Sequence, residues 1–436
     1  MKKQVIYFMA AALAMPVVFT SCTEDTSDAT PMPKIITMGV DAENIIQLND
    51  TLKITPQLNT TEGVTYLWTL DGDSVAASSS YAFIAKALGN YKLNFTVANI
   101  AGLATQTIEI QVRKATGGFY VINEGSYPAP ASFNYYQDTS WIFNSFDEFS
   151  AQIDYTFGVT GTTAAMDNES MYLVTKEAPV LSKVSLQDWK AEAVIDSRDL
   201  ISGGQGQSVC LIPNNKAVLT TTRGAYIVDL MQRAIVDTLT NKNTTDAFVN
   251  GDYMYLLVSD SVNVYKTADL SLINKAVAAA KTGFTLTESG DVWAADDSTL
   301  VRFEASNPTE AEVIALPSGY TVYYNQWAYT PTGLQAAKGK NVLYFGTVNG
   351  WYANAVCAYD IDNKTVSTIY TLEGANDLLY GSGIHVNPQT GNLYLVSTPD
   401  YRSFVIDIVT PEGEKQKRIV YGNETTLWYP STIIFD

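Results

Sequence analysis

The sequence predicts an all-β chain, a small β-sandwich followed by a seven-bladed β-propeller whose first and last strands pair to close it. Three observations predict this. From Lys34 onward the chain is filled with short runs of alternating apolar and polar residues bounded by Gly, Asn or Asp, as half-buried strands require. From residue 117 a strand–turn–strand unit recurs six times. The two ends of that region carry complementary halves of a seventh unit.

Residues 1–21, MKKQVIYFMAAALAMPVVFTS, combine two lysines, an apolar run too short for a confident span and small residues before Cys22, which is the pattern of an export signal. The Val18 to Cys22 ending resembles a bacterial lipobox, in which cleavage leaves the cysteine as a lipidated N-terminus. Acyl chains contribute roughly 0.8 kcal/mol per buried CH₂, so a multiply acylated Cys22 would hold the protein on a membrane without a transmembrane helix. Residues 22–33 are polar with two prolines and read as a flexible tether. Its acidic start, Glu24 and Asp25, resembles the signal that sends lipoproteins of Bacteroidetes to the outer face of the outer membrane.

With 45 acidic against 27 basic residues the chain repels phosphate backbones, which argues against a nucleic-acid partner. Besides Cys22 there are Cys210 and Cys357, too few for a disulfide scaffold. Both lie in alternating apolar runs and read as buried free thiols.

Residues 34–114 form the expected sandwich. In GNYKLNFTVAN, Tyr91, Leu93, Phe95 and Val97 alternate with polar neighbours, the pattern of a sheet with one wet face. TYLWTLDGDS places Trp68 in mid-strand before an Asp-Gly turn, as a core residue. The spacing W-x-L-D-G, then G-x-Y-x-L-x-F-x-V-x-N-x-x-G, resembles immunoglobulin-like PKD domains, and implies a spacer or an adhesive module.

Residues 117–436 form the expected propeller. The six units are TTAAMDNESMYLV, QSVCLIPNNKAVLT, DAFVNGDYMYLL, GFTLTESGDVWAA, GLQAAKGKNVLYFG and SGIHVNPQTGNLYLV. Tyr172, Val218, Tyr255, Trp293, Tyr344 and Tyr394 mark equivalent points, spaced by 46, 37, 38, 51 and 50 residues, which suits four-stranded blades. GGFYVIN at the start matches the second half of the unit and YPSTIIFD at the end matches the first half. Joined, they complete the first blade and leave no free sheet edge.

In such a fold the longer connections gather on one face, where rigid blades position functional loops. Here they carry Tyr127 in NEGSYPAPAS, Arg223 in TTTRG, Tyr320, Tyr323, Tyr324, Trp327 and Tyr329 in YTVYYNQWAY, and Trp351 and Tyr352 in GTVNGWYANA. They also carry Tyr380 in GANDLLYGS, Asp400, Tyr401 and Arg402 in STPDYRS, and Trp428 and Tyr429 in GNETTLWYP. Most come from blades five, six, seven and one, so the rings are expected to converge on one sector. Aromatics interleaved with amides and hydroxyls suit a large, mostly uncharged ligand. Three rings each covering ~50 Å² of apolar area would contribute about 4 kcal/mol before entropic costs.

Catalytic and metal signatures are weak. The single histidine, His385, lies in an expected inner strand and reads as a hydrogen-bonded core residue, and no Gly-x-Ser-x-Gly elbow accompanies it. DIDNKT lacks the glycine and distal glutamate of a calcium loop. No cofactor, no metal and no catalytic residue is expected. An enzyme using carboxylates alone is the minority alternative.

The opening FYVINEG followed by SFNYYQ, the GIHVNPQTGNLYLVSTPDY run and the closing half-blade resemble the YncE-like, DUF5074-type propeller lipoproteins of Bacteroidetes. These often carry an N-terminal PKD-like domain. The family includes BtuG-type surface lipoproteins, which capture cobalamin on the propeller face for a TonB-dependent transporter. The first loop, NEGSYPAPAS, departs from the Gly/Asn-rich loop of those proteins. The resemblance implies a non-catalytic, outer-membrane, surface-exposed lipoprotein that binds a nutrient, with a corrinoid as the leading ligand. The alternatives are a glycan ligand and a protein-docking, adhesive propeller.

Overall fold

The structure is a computed structural model that describes residues 30–114, 117–137, 139–324, 333–349, 352–422 and 428–436, with side chains omitted at 348 and 349. Among the described residues it is all-β apart from one short helix, Phe146–Gln152, and a 3₁₀ turn, Arg198–Ile201. Among the described residues no helix is long and apolar enough to cross a membrane.

The N-terminal domain contains a five-stranded antiparallel sheet ordered Glu43–Gln47, Gly102–Arg113, Gly89–Asn99, Thr65–Leu70 and Asp73–Ala76, with two smaller strand pairs. Trp68 is fully buried, 4.4 Å from the Phe95 ring, and its Nε1 donates to the Ser78 carbonyl at 2.8 Å. Leu93, Phe95 and Val97 are buried at alternate positions, as the pleat dictates. The tether differs from expectation at its end. Asn99 Nδ2 donates to the Pro31 carbonyl (2.8 Å) and Asn59 Nδ2 to the Met32 carbonyl (3.1 Å), so the ordered sandwich begins before Lys34.

The described residues of 117–436 form seven four-stranded antiparallel sheets consistent with propeller blades. Six are built from consecutive strands within residues 161–195, 206–240, 244–274, 285–315, 334–371 and 378–421. The remaining one, taken as the first, joins both ends of the segment: Phe119–Asn123 pairs on one side with Ser132–Gln137 and on the other with Pro430–Phe435. Innermost strands of neighbouring sheets touch. Gly161–Met166 meets Pro430–Phe435 and Gly206–Ile212, and Leu378–Val386 meets Leu334–Ala336 and Pro430–Phe435.

The repeat has a packing cause. All six marker residues fall in the second strand of their sheets. Tyr255 packs with Phe303 and Val292 of the next sheet, and Trp293 packs with Leu343 and Phe345. A sheet facing another sheet must fill a layer about 10 Å thick, and a buried or half-buried apolar or aromatic side chain at this point of each repeat, large in all but Val218, helps to do so. Polar groups stitch the sheets as well. The buried Asp246 carboxylate accepts from Ser208 Oγ (3.1 Å) of the preceding sheet and the Phe284 backbone N–H (3.1 Å) ahead of the next. Burial pushes its carboxyl up to about 6. Cys357 is buried and Cys210 half-buried, both as free thiols, and burial raises each.

Candidate functional site

Tyr320 to Tyr324 occupy the connection between the outer strand of the fifth sheet, Asn307–Ala315, and the inner strand of the sixth, Leu334–Ala336. Tyr323 N–H donates to the Gly346 carbonyl at 2.8 Å, which fixes Tyr323 beside the sixth sheet. Tyr352 opens the strand Tyr352–Asp360 and is paired with Asn349, so the residues on either side of 350–351 are ladder strands and not the expected long connection. Val342–Asn349 and Tyr352–Asp360 carry the ladder almost to the tip.

Tyr380 lies within the inner strand Leu378–Val386, in a bulge. Leu379 pairs with Ser397 but Ile384 pairs with Leu395, so Tyr380-Gly381-Ser382-Gly383 bows out of the ladder. Gly381 and Gly383 have φ of 61° and 73°, and a Cβ on Gly381 would come within 2.3 Å of the Ser431 carbonyl oxygen. The YGSG stretch therefore encodes the bulge that presents Tyr380. A narrow cleft opens beside it, lined by Tyr323, Gly346, Leu379, Gly381, Gly383 and Ile384.

Tyr401 sits on a turn that Asp400 builds. Asp400 Oδ1 accepts from the N–H groups of Arg402 (2.9 Å) and Ser403 (2.8 Å), and Thr398 Oγ1 accepts from Tyr401 N–H (2.8 Å). Tyr401 and Tyr429 hold φ of 60° and 53°. The left-handed region costs a non-glycine residue about 1–2 kcal/mol, and such strain gathers where a side chain must be held in place.

These elements bring tyrosines from three sheets into one row. Tyr352 and Tyr401 rings lie 6.1 Å apart, as do Tyr401 and Tyr380. Phe404 links Tyr380 (5.0 Å) to Tyr429 (5.5 Å). Burial, with Tyr352 alongside, pushes Tyr323 up to about 12. Tyr401 and Tyr380 also lie above the ordinary tyrosine range, chiefly through burial. The hydroxyls therefore stay protonated at neutral pH and serve as both donors and acceptors.

At the end of the row lies a residue that sequence reasoning missed. Glu124 follows the strand Phe119–Asn123, with its N–H donating to the Tyr429 carbonyl at 2.8 Å. Its half-buried carboxyl is hydrogen-bonded to Tyr380 and faces Lys176. Burial pushes it up to about 7, against the opposing pull of Lys176 and Tyr380. The signal available was an acid in an otherwise uncharged loop.

Other expected site residues are placed elsewhere. Trp428 is buried with its ring 5.6 Å from Tyr421, so it packs inward instead of lining the site, a correction that follows from the room left beside the outer strand of the seventh sheet. Tyr320 packs against the apolar layer between the fifth and sixth sheets. Tyr324 faces Lys281, 5.9 Å from its ring, among Asp260, Asp296 and Asp297. Tyr127 is 80% exposed. Arg223 stands exposed on the tight turn between Lys216–Thr221 and Gly224–Asp229, in the third sheet, and no contact joins it to the row among the described residues. The Asp400 carboxylate is spent on its own turn, and Arg402 is exposed. Trp327, Tyr329 and Trp351 lie outside the described residues.

His385 is the core residue expected. Its Nε2 accepts from Ile433 N–H (3.3 Å) and lies 2.9 Å from Ser382 Oγ, which assigns the ring proton to Nδ1. Burial pushes it down to about 3. A depressed histidine binds fewer protons in the folded state, so its contribution to stability is present above pH 6.5 and is lost as pH falls toward 3. Because His385 is the single histidine, its imidazole NMR signal is expected to stay fixed from pH 8 to 5 in the folded protein and to titrate near 6.5 in urea. Titration near 6.5 in the folded state would contradict this placement.

Among the described residues no group of three or more His, Cys, Asp or Glu side chains could hold a metal ion. The chain matches the PKD domain over residues 36–112 and the family described as "Domain of unknown function (DUF5074)" over residues 117–436. No curated protein matches it. Among solved structures it is similar to a quinonprotein alcohol dehydrogenase-like protein from Bacteroides thetaiotaomicron, with 18% identity and a TM-score of 0.64, covering 93% of this chain and 100% of that one. Weaker likenesses are apo AztD from Citrobacter koseri (10% identity, TM-score 0.41, 85% of this chain and 97% of that one) and a protein of unknown function from Bacteroides caccae (9%, 0.35, 63% and 96%). At these identities the first likeness bears on the fold alone. With the family matched over most of its length, the chain is a member of the DUF5074 family that carries an N-terminal PKD domain.

Proposed function

We propose that this protein is a non-catalytic binder that captures a large, mostly uncharged nutrient on the tyrosine row. The seven sheets close into one ring, and a lipidated Cys22 anchors the chain at the outer face of the outer membrane, beside a TonB-dependent transporter. The observation that carries the reading is the contiguous row Tyr323, Tyr352, Tyr401 and Tyr380, presented by a glycine bulge and by tyrosines held at positive φ. Flat rings in series offer stacking area and their hydroxyls fix orientation. A corrinoid is the first candidate because of the resemblance to cobalamin-capturing lipoproteins, and an oligosaccharide is the second because the same row suits sugar faces.

Calorimetric titration with cyanocobalamin, then with neutral oligosaccharides such as maltohexaose and xylohexaose, separates the two. Tyr401→Ala removes a ring worth about 1.3 kcal/mol if it covers ~50 Å² of ligand, so a loss of roughly tenfold in affinity is expected. A tight ligand bound equally well by this variant would place the site elsewhere. Incorporation of labelled palmitate at Cys22, lost in Cys22→Ala, tests the anchor.

A further inference from the structure

Glu124 follows the strand Phe119–Asn123 of the first sheet, with its carbonyl accepting from Gly161 N–H (3.3 Å) of the second sheet and its N–H donating to the Tyr429 carbonyl (2.8 Å). Tyr380 of the seventh sheet donates its hydroxyl to the carboxyl. From the second sheet's loop Lys176 faces it, with Glu177 next to Lys176. Thr160, at φ 62°, accepts the Lys176 N–H through its carbonyl at 3.0 Å, holding that loop against the site. Tyr429 grips Glu124 through the backbone, and Tyr401 stands beyond Tyr380. Glu177 is engaged by Arg198 and by Gln205 Nε2 (3.0 Å), so it is held away as part of its own pair.

A carboxyl group has about four acceptor positions, and Tyr380 takes one. The residue is half-buried and not sealed in the core, and Tyr380, a member of the tyrosine row, lies beside its carboxyl. A carboxyl buried merely for packing would cost stability without return, whereas one at the end of an aromatic row can read the ligand's polar edge.

We propose that Glu124 is the specificity-determining residue of the tyrosine site, accepting a hydroxyl or amide N–H from the ligand and rejecting ligands that present a carboxylate or phosphate there. This rests on the capture reading above. The ionised carboxylate is the stronger acceptor. Because burial shifts its titration to about pH 7, the preference acts within the physiological range. Sites that hydrogen-bond a ligand group discriminate strongly against analogues lacking it, since the buried partner is left unpaired.

The test is calorimetry on the full chain with cyanocobalamin and with maltohexaose, at pH 6 and pH 8, for wild type, Glu124→Gln and Tyr380→Phe. For the probe that binds wild type, affinity is expected to rise about fivefold or more from pH 6 to pH 8. Glu124→Gln is expected to bind at least fivefold more weakly than wild type at pH 8, with no pH dependence. Tyr380→Phe, which removes a bond that favours the ionised form, is expected to move the midpoint to higher pH. Circular dichroism melts confirm that each variant is folded. If a probe binds wild type and Glu124→Gln alike at both pH values, the inference about Glu124 is overturned and the capture reading stands. If neither probe binds wild type, the capture reading falls and takes this inference with it.

Discussion

Deleting Pro430 to Asp436 is expected to abolish cooperative folding of residues 117–436 while the sandwich keeps its own melting transition. The deleted strand pairs along the whole of Phe119–Asn123, whose five residues are all buried. It also supplies the N–H bound by His385 and the carbonyl bound by Ser382. Asp436 receives the Lys114 ammonium and the Tyr135 hydroxyl (3.1 Å). Each buried apolar side chain in the strand contributes about 1.5–3 kcal/mol, and the exposed edge of Phe119–Asn123 adds unpaired backbone groups. Their sum rivals the 5–15 kcal/mol that holds a typical domain together. A two-step thermal melt of the intact chain should lose the step belonging to the larger domain. An unchanged melt would mean that the first sheet is stable without its fourth strand.

Asp407→Ala is expected to destabilise the same domain by about 2–4 kcal/mol. Asp407 is fully buried and receives Arg418 through two bonds, Nε to Oδ1 at 2.7 Å and Nη2 to Oδ2 at 2.6 Å. The two residues are direct cross-strand partners. Breaking such a pair by removing one member costs about 3–5 kcal/mol, reduced here because Arg418 is 34% exposed and rehydrates in part. The expected drop in melting temperature is about 5 °C. The double variant Asp407→Leu with Arg418→Met should recover most of it, since an apolar pair of similar volume leaves no charge unpaired. If the double variant were as unstable as the single one, packing and not the ion pair would account for the loss.

The repeat was legible because period and packing have the same cause. Tyr172, Val218, Tyr255, Trp293, Tyr344 and Tyr394 recur because every sheet must fill the layer against its neighbour. Trp68 and the alternating Leu93, Phe95 and Val97 were legible for the same reason. The pairing of GGFYVIN with YPSTIIFD followed from two half-units that cannot bury their edges alone.

The site was legible only in part. The sequence placed Tyr323, Tyr352, Tyr380, Tyr401 and Tyr429 on long connections; they lie near one another with Phe404, but Tyr352 and Tyr380 belong to strands. It placed Trp428 and Tyr320 there too, and both pack inward. An aromatic at a loop end turns in or out according to the room left by the adjacent sheet, which local pattern does not carry.

By itself, then, the sequence determined the PKD domain and the segment after it, the strand sets and the joining of the chain's ends. The tertiary structure alone decided that Glu124 meets Tyr380 and that the YGSG bulge aims Tyr380 at Tyr401. The reason is physical. Strand identity depends on neighbours two and four residues away, whereas a site depends on groups far apart in the chain, brought within hydrogen-bonding distance by how the sheets pack.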